Sequence, residues 1–141
     1  MNLFAYGTLL VPEIWELVTG CSVPELEAEI RGFEIRRVKG GDFPVIFESE
    51  NPDAVVPGRV FRDLNQKTIA RLDTYEDTFY ERIDVRADLK AGGGEIECQT
   101  YAVPVSEAMR ISAGETWTLE WFKNHAFEAY LSRLQGWREN E

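Results

Sequence analysis

Residues 80–103 carry the pattern that most constrains the fold. In YERIDVRADL, residues 80–89, Ile83, Val85, Ala87 and Leu89 alternate with charged neighbours. In EIECQTYAV, residues 95–103, Ile96, Cys98 and Thr100 repeat the alternation. A period of two belongs to a strand with one buried and one wet face. AGGG at 91–94 supplies the turn, so the two runs predict an antiparallel hairpin. Such a hairpin requires a sheet, and the rest of the chain must be read around one.

Further extended segments are read at NLFAY (2–6), IRGFEIRRV (30–38), FPVIF (43–47) and from Gly58 onward in AVVPGRVFRDL. GGD at 40–42 and SENPD at 49–53 read as a turn and a surface loop. Helical spacing replaces alternation in three places. Pro12 opens a short helix with Ile14, Leu17 and Val18 on one face, closed by Gly20. Asn65 caps a second, with Thr68, Ile69 and Leu72 inward and an end near Tyr75. The stretch 112–136 reads as one long final helix bearing Trp117, Trp121, Phe122, Ala126, Ala129, Tyr130 and Leu134, stopped at Gly136. The tail WRENE is expected to fray, Trp137 excepted. The fold class expected is α+β, a single domain over 1–141 built on one curved sheet with helices around it.

Twenty-five acidic against fifteen basic residues leave a net charge of −10. That balance argues against nucleic acid and against an anionic membrane surface as partners. No apolar run approaches the roughly 20 residues needed to cross a bilayer. Cys21 and Cys98 have no cysteine at metal-ligand spacing, and they read as two thiols in a reducing compartment. With no basic leader before the first apolar run, the expected location is the cytoplasm.

The chemistry on offer is narrow. There is one histidine, His125, on a helical segment, and neither a GxSxG nor a phosphate loop occurs. A surface or half-buried histidine is the plain reading of His125, with a Ser-His-Asp relay as the alternative. No Asp-x-Asp-x-Asp cation loop is present, so no metal or cofactor is expected. In LDTYEDTFYER, residues 72–82, Asp73, Glu76 and Asp77 are interleaved with Tyr75, Phe79 and Tyr80. Solvated acids with aromatics capping the core account for this pattern. So does one carboxylate folded under rings, its pKa raised by burial into the range of a general acid or base. FAYGTLL, residues 4–10, has two readings as well. Gly7 is either a plain strand end or part of a loop whose N–H groups face a ligand.

Taken together, the two segments resemble the gamma-glutamylcyclotransferase-like family. Its pattern is a first strand running into Tyr-Gly-Thr/Ser-Leu, here Tyr6, Gly7, Thr8 and Leu9. A Gly-x-Val/Leu-aromatic strand follows, here Gly58, Val60 and Phe61. Leu-Asp-x-aromatic-Glu and Tyr-x-Arg come next, here Leu72, Asp73, Tyr75, Glu76, Tyr80 and Arg82, and Pro44 precedes a strand as in the family. The likeness spans residues 3–104. Where the family often has glycine after the glutamate, this chain has Asp77.

The resemblance implies a small mixed barrel-like sheet with surrounding helices and a cavity at one end. It implies that the free α-amine of a γ-glutamyl group attacks its own side-chain amide, giving 5-oxoproline and a released amine. Glu76 matches the catalytic glutamate. Tyr6, Gly7, Thr8 and Leu9 match the substrate-cradling loop, and Tyr80 an aromatic position beside it. The partner implied is a small γ-glutamyl substrate. Elementary chemistry agrees with these residues. The nucleophile belongs to the substrate, and ring closure in a held chain has a high effective concentration. One carboxylate can take the ammonium proton and return a proton to the leaving amine. Backbone donors in a glycine-containing turn can hold an oxyanion or the α-carboxylate. A non-catalytic ligand-binding domain on the same scaffold is the alternative.

Overall fold

The computed structural model describes the backbone of residues 1–139 and the side chains of residues 1–136. The chain runs β1 (Leu3–Ala5), a 3-10 turn (Thr8–Leu10), α1 (Pro12–Thr19), β2 (Glu25–Arg31), β3 (Phe33–Arg37), β4 (Pro44–Glu48) and β5 (Val55–Phe61). It continues through α2 (Gln66–Glu76), a second 3-10 turn (Asp77–Phe79), β6 (Glu81–Leu89), β7 (Glu95–Ala102), α3 (Val105–Ile111), α4 (Leu119–His125) and α5 (Phe127–Glu139). Five strands close into a barrel in the order β1-β5-β2-β6-β7, and β3 and β4 form a separate hairpin. The barrel is the mixed sheet the family resemblance implied, with every pairing antiparallel except β1 on β7.

The β6–β7 hairpin has the expected register, Val85 opposite Cys98 and Ala87 opposite Ile96. Alternation then separates two apolar surfaces. Phe4, Ala28, Ile30, Val56, Val60, Ala87 and Cys98 fill the barrel, joined by Ile46 from β4. Leu3, Ala5 and Phe61 point the other way and pack with Ile14, Trp15, Val18, Leu72, Phe122 and Leu134 of the helices. Both cysteines are free thiols. A Cβ on Gly58 would sit 2.2 Å from the Ala5 carbonyl oxygen and 2.7 Å from the Phe4 ring. Only glycine lets β1 lie this close on β5, and that approach sets where the chain leaves β1.

Several local expectations change. The segment 30–38 is not one strand, because Gly32 at φ 79° separates β2 from β3. β2 begins at Glu25, because the period of two runs upstream of the expected segment: Leu26, Ala28 and Ile30 alternate with Glu25, Glu27, Glu29 and Arg31. α3 carries no periodic signal long enough to read. The final stretch is two helices starting at Leu119, where Thr118 Oγ1 accepts from the Trp121 N–H at 3.1 Å. Ala126 breaks it at φ −133°, ψ −16°. Alanine is a strong helix former, so nothing in the sequence announces a break decided by packing. α5 also continues through Gly136 to Glu139. The expected packing of Trp137 lies outside the described side chains. Among the described residues no helix is long and apolar enough to cross a membrane.

Candidate active site

A cavity of about 370 Å³ opens beside the end of β1, a volume in the range that takes a small ligand. β1 itself forms part of its wall, and the rest comes from five further places. The 3-10 turn after β1 contributes Tyr6, Gly7, Thr8 and Leu9, and the end of α2 with its own 3-10 turn contributes Tyr75, Glu76, Asp77, Phe79 and Tyr80. Asp42, Phe43 and Pro44 enter from the turn before β4, Tyr101 from β7, and Tyr130 and Arg133 from α5. All six residues expected from the sequence therefore meet at one cavity. So do all five tyrosines of the chain, although they are spread from position 6 to position 130.

The tyrosine hydroxyls are committed to one another and to the walls. Tyr6 Oη donates to the Tyr101 carbonyl at 2.5 Å, and Tyr80 Oη to the Pro44 carbonyl at 2.7 Å. Tyr75 Oη bonds Thr8 Oγ1 at 2.8 Å and also the Tyr130 hydroxyl. Tyr101 Oη donates to Asp73 Oδ1 at 2.6 Å. Burial pushes the ionisation of Tyr6, Tyr75 and Tyr80 well above the usual phenol range, so these groups stay neutral.

The acidic cluster of 73–77 divides by environment. Arg82 Nη1 holds both Asp73 oxygens, at 2.7 and 2.6 Å, tying α2 to β6 and accounting for the Tyr-x-Arg of the motif. Asp77 lies exposed on the rim, at φ 57°, ψ −159°. That backbone region is close to glycine-only, which explains why a glycine suits the position. Glu76 is different. It is half-buried, and the surface it keeps faces the cavity. Among the described residues no donor bonds its carboxylate. Burial first, and the nearby Asp73 charge second, raise its pKa from 4.5 to about 8. The aromatic-covered carboxylate of the two sequence readings is thus Glu76.

At Gly7 the structure shows a close contact where the sequence suggested a bend. Gly7 sits at φ −119°, ψ −136°, outside the left-handed region. Glycine is needed because a Cβ would lie 2.9 Å from Pro44 Cγ, and Pro44 is held in turn by Tyr80. The close approach of Pro44 locks the loop onto the β3–β4 hairpin. The turn uses the Gly7 and Thr8 carbonyls to accept from Leu10 and Val11. Among the described residues the N–H groups of Gly7, Thr8 and Leu9 have no acceptor, as the first donors of a helical turn usually do not.

His125 stays outside the site. It is exposed, stacked on Trp121, with Nδ1 3.0 Å from the Trp121 carbonyl oxygen. Sequence reasoning missed Asp42, Phe43, Tyr101, Tyr130 and Arg133. No sequence signal marks them, because the tyrosines find their partners in backbone carbonyls, Thr8, Asp73 and one another, contacts that only the fold brings together.

The family described as gamma-glutamyl cyclotransferase, AIG2-like, matches residues 3–119. AIG2-like protein C of Arabidopsis thaliana is 27% identical over 141 residues, covering 99% of this chain and 78% of that protein. The solution structure of At3g28950.1 from Arabidopsis thaliana superposes with a TM-score of 0.71 at 24% identity, covering 99% of this chain and 84% of that one. A structure titled gamma-glutamyl cyclotransferase gives a TM-score of 0.61 at 20% identity, covering 95% and 85%. At these identities the superpositions speak for the fold.

Proposed function

The chain belongs to the AIG2-like gamma-glutamyl cyclotransferase family, and from that premise we propose that it releases 5-oxoproline and an amine from a small γ-glutamyl amide. The observation that carries this is Glu76, a carboxylate without a hydrogen-bonding partner among the described residues, on the wall of a cavity opposite a turn with free N–H donors.

Substrate binds as an α-ammonium, and deprotonated Glu76 takes one of its protons. The freed nitrogen attacks the side-chain carbonyl carbon, and a C–N bond forms as the carbonyl π electrons move to oxygen. The loop N–H groups of residues 7–9 hold negative charge, either this oxyanion or the α-carboxylate. As the intermediate collapses, the original amide C–N bond breaks. Glu76 passes the first proton to the leaving nitrogen and then takes the second from the ring nitrogen, and the released amine carries that one away as an ammonium, so Glu76 returns to its ionised form. No water is consumed, and the two products together contain every atom of the substrate. The tyrosines remain neutral throughout. They exclude water and keep Glu76 poorly solvated, which makes it a stronger base once ionised.

The test is Glu76→Gln. Loss of a general acid–base group costs about 10²–10⁴-fold, so a folded Glu76→Gln protein should lose at least about 100-fold in 5-oxoproline formation. Unchanged 5-oxoproline release by that protein would end the reading, and free glutamate as product would redirect it to hydrolysis.

A further inference from the structure

We propose that the cavity mouth is a leaving-group subsite for a bulky apolar, preferably aromatic, α-amino acid, which makes γ-glutamyl derivatives of such residues the preferred substrates. This rests on the cyclotransferase reading above and adds the half of the substrate that reading leaves open.

The glutamyl half is accounted for by Glu76 and the 7–9 loop. What remains around the cavity is a separate set. Phe79 is 41% exposed, an unusual state for a phenylalanine, and it joins none of the buried clusters. It stands three residues after Glu76, on the 3-10 turn Asp77–Phe79. Phe43 meets it edge to face at 5.6 Å and 75°, and Tyr80 at 4.8 Å and 63°. The rings are thus braced by one another, while Phe79 keeps apolar surface at the cavity wall. A third ring adds to such an arrangement without repacking it.

Arg133 supplies the second element. It is the single basic side chain among the described cavity residues. Its Nη2 bonds Asp42 Oδ2 at 2.7 Å, and its guanidinium lies 5.6 Å from the Tyr130 ring centre. Asp42 is fixed in turn through its carbonyl, which accepts from Trp117 Nε1 at 2.9 Å. A guanidinium has five N–H donors, so one bond to Asp42 orients it and leaves donors for a carboxylate. An aromatic or aliphatic ring surface beside one oriented cation matches an apolar α-amino acid. Glycine as the leaving group would leave the Phe79 surface wet, and a lysine or polyamine end has no ring to set against it.

The experiment measures kcat/KM, by 5-oxoproline release, on γ-glutamyl-phenylalanine, γ-glutamyl-glycine, γ-glutamyl-phenethylamine and ε-(γ-glutamyl)-lysine. The phenylalanine compound should exceed the glycine compound by about tenfold or more, the order a hydrophobic pocket gives for a few added carbons. Phe79→Ala should bring that ratio toward one. Arg133→Gln should lower turnover of γ-glutamyl-phenylalanine about tenfold more than that of γ-glutamyl-phenethylamine, which has the ring and no carboxylate. Equal rates for the phenylalanine and glycine compounds, a Phe79→Ala effect equal on both, or fastest turnover of the lysine compound would overturn the subsite and leave the cyclotransferase intact. If no compound yields 5-oxoproline, the function proposal fails, and calorimetry decides the subsite by itself. The Glu76→Gln protein should then bind γ-glutamyl-phenylalanine about tenfold more tightly than γ-glutamyl-glycine, and equal affinities refute it.

Discussion

Replacing Glu76 by glutamine should make the protein more stable, and by an amount that depends on pH. In the unfolded chain this carboxyl loses its proton near 4.5, and in the folded one near 8. Between those values the folded state holds a proton that the unfolded state has released. Stability contributed by Glu76 is therefore complete below pH 4.5 and is lost as pH rises to 8. The shift of about 3.5 units corresponds to roughly 5 kcal/mol at about 1.36 kcal/mol per unit. Because Glu76 is only half-buried and solvent screens part of its charge, about 2–3 kcal/mol is the better expectation. Glutamine keeps the shape and does not titrate, and every other ionisable group is common to both proteins, so the difference curve isolates residue 76. Urea unfolding followed by tryptophan fluorescence at steps from pH 4.5 to 9 reads it, with four tryptophans available as probes. The two proteins should be nearly equal at pH 4.5, diverge through pH 5–8, and run parallel above about 8.5 with Glu76→Gln the more stable. A stability difference that does not change across this window would show that Glu76 is well solvated, and the argument for its role would go with it. The same ionisation governs catalysis with the opposite sign. kcat/KM should fall as pH drops below about 8, where the base is protonated.

Asp77→Gly should raise stability by about 1 kcal/mol, since it relieves roughly 1–3 kcal/mol of backbone strain and costs about 0.5–1 kcal/mol in glycine entropy. A lower melting temperature for Asp77→Gly would show that the aspartate side chain stabilises that turn. Gly7→Val should raise KM for a γ-glutamyl substrate well beyond the effect of Thr8→Ala. It forces a Cβ into the Pro44 ring, with an overpacking cost of about 1–3 kcal/mol, while Thr8→Ala removes one hydroxyl. Steady-state kinetics on the two variants ranks them, and equal KM values would mean that the loop does not hold the substrate. Dialysis against EDTA should leave 5-oxoproline formation at its full rate, because the substrate provides both nucleophile and electrophile. A rate that vanishes and returns with one specific divalent ion would replace the mechanism with metal-assisted chemistry.

Local pattern was enough for much of the frame. The 80–103 hairpin, the Pro12 and Asn65 helix starts and the carboxylate cluster were legible because each is settled within a few residues, by period, cap or turn. The helix break at Ala126 was not, because neighbouring packing chose between conformations that the local residues allow equally. The strand at 25–31 carries its own period of two, Leu26, Ala28 and Ile30 between charged residues, and differs from the expected segment 30–38 only in its bounds. The same division runs through the site. Sequence by itself determined that a tyrosine-glycine-threonine-leucine loop and a glutamate among rings were present, in the order of a known pattern. Tertiary structure decided which of three adjacent acids is left without a partner. Asp73 is taken by Arg82 and Tyr101, from strands nine and twenty-eight residues away, and Asp77 is turned out to solvent. It also brought Asp42, Tyr101, Tyr130 and Arg133 to the cavity. Periodicity reports which face of an element is buried, but it carries no record of which distant element covers that face. Only closing the barrel and packing α5 against α1 and α4 sets those distances.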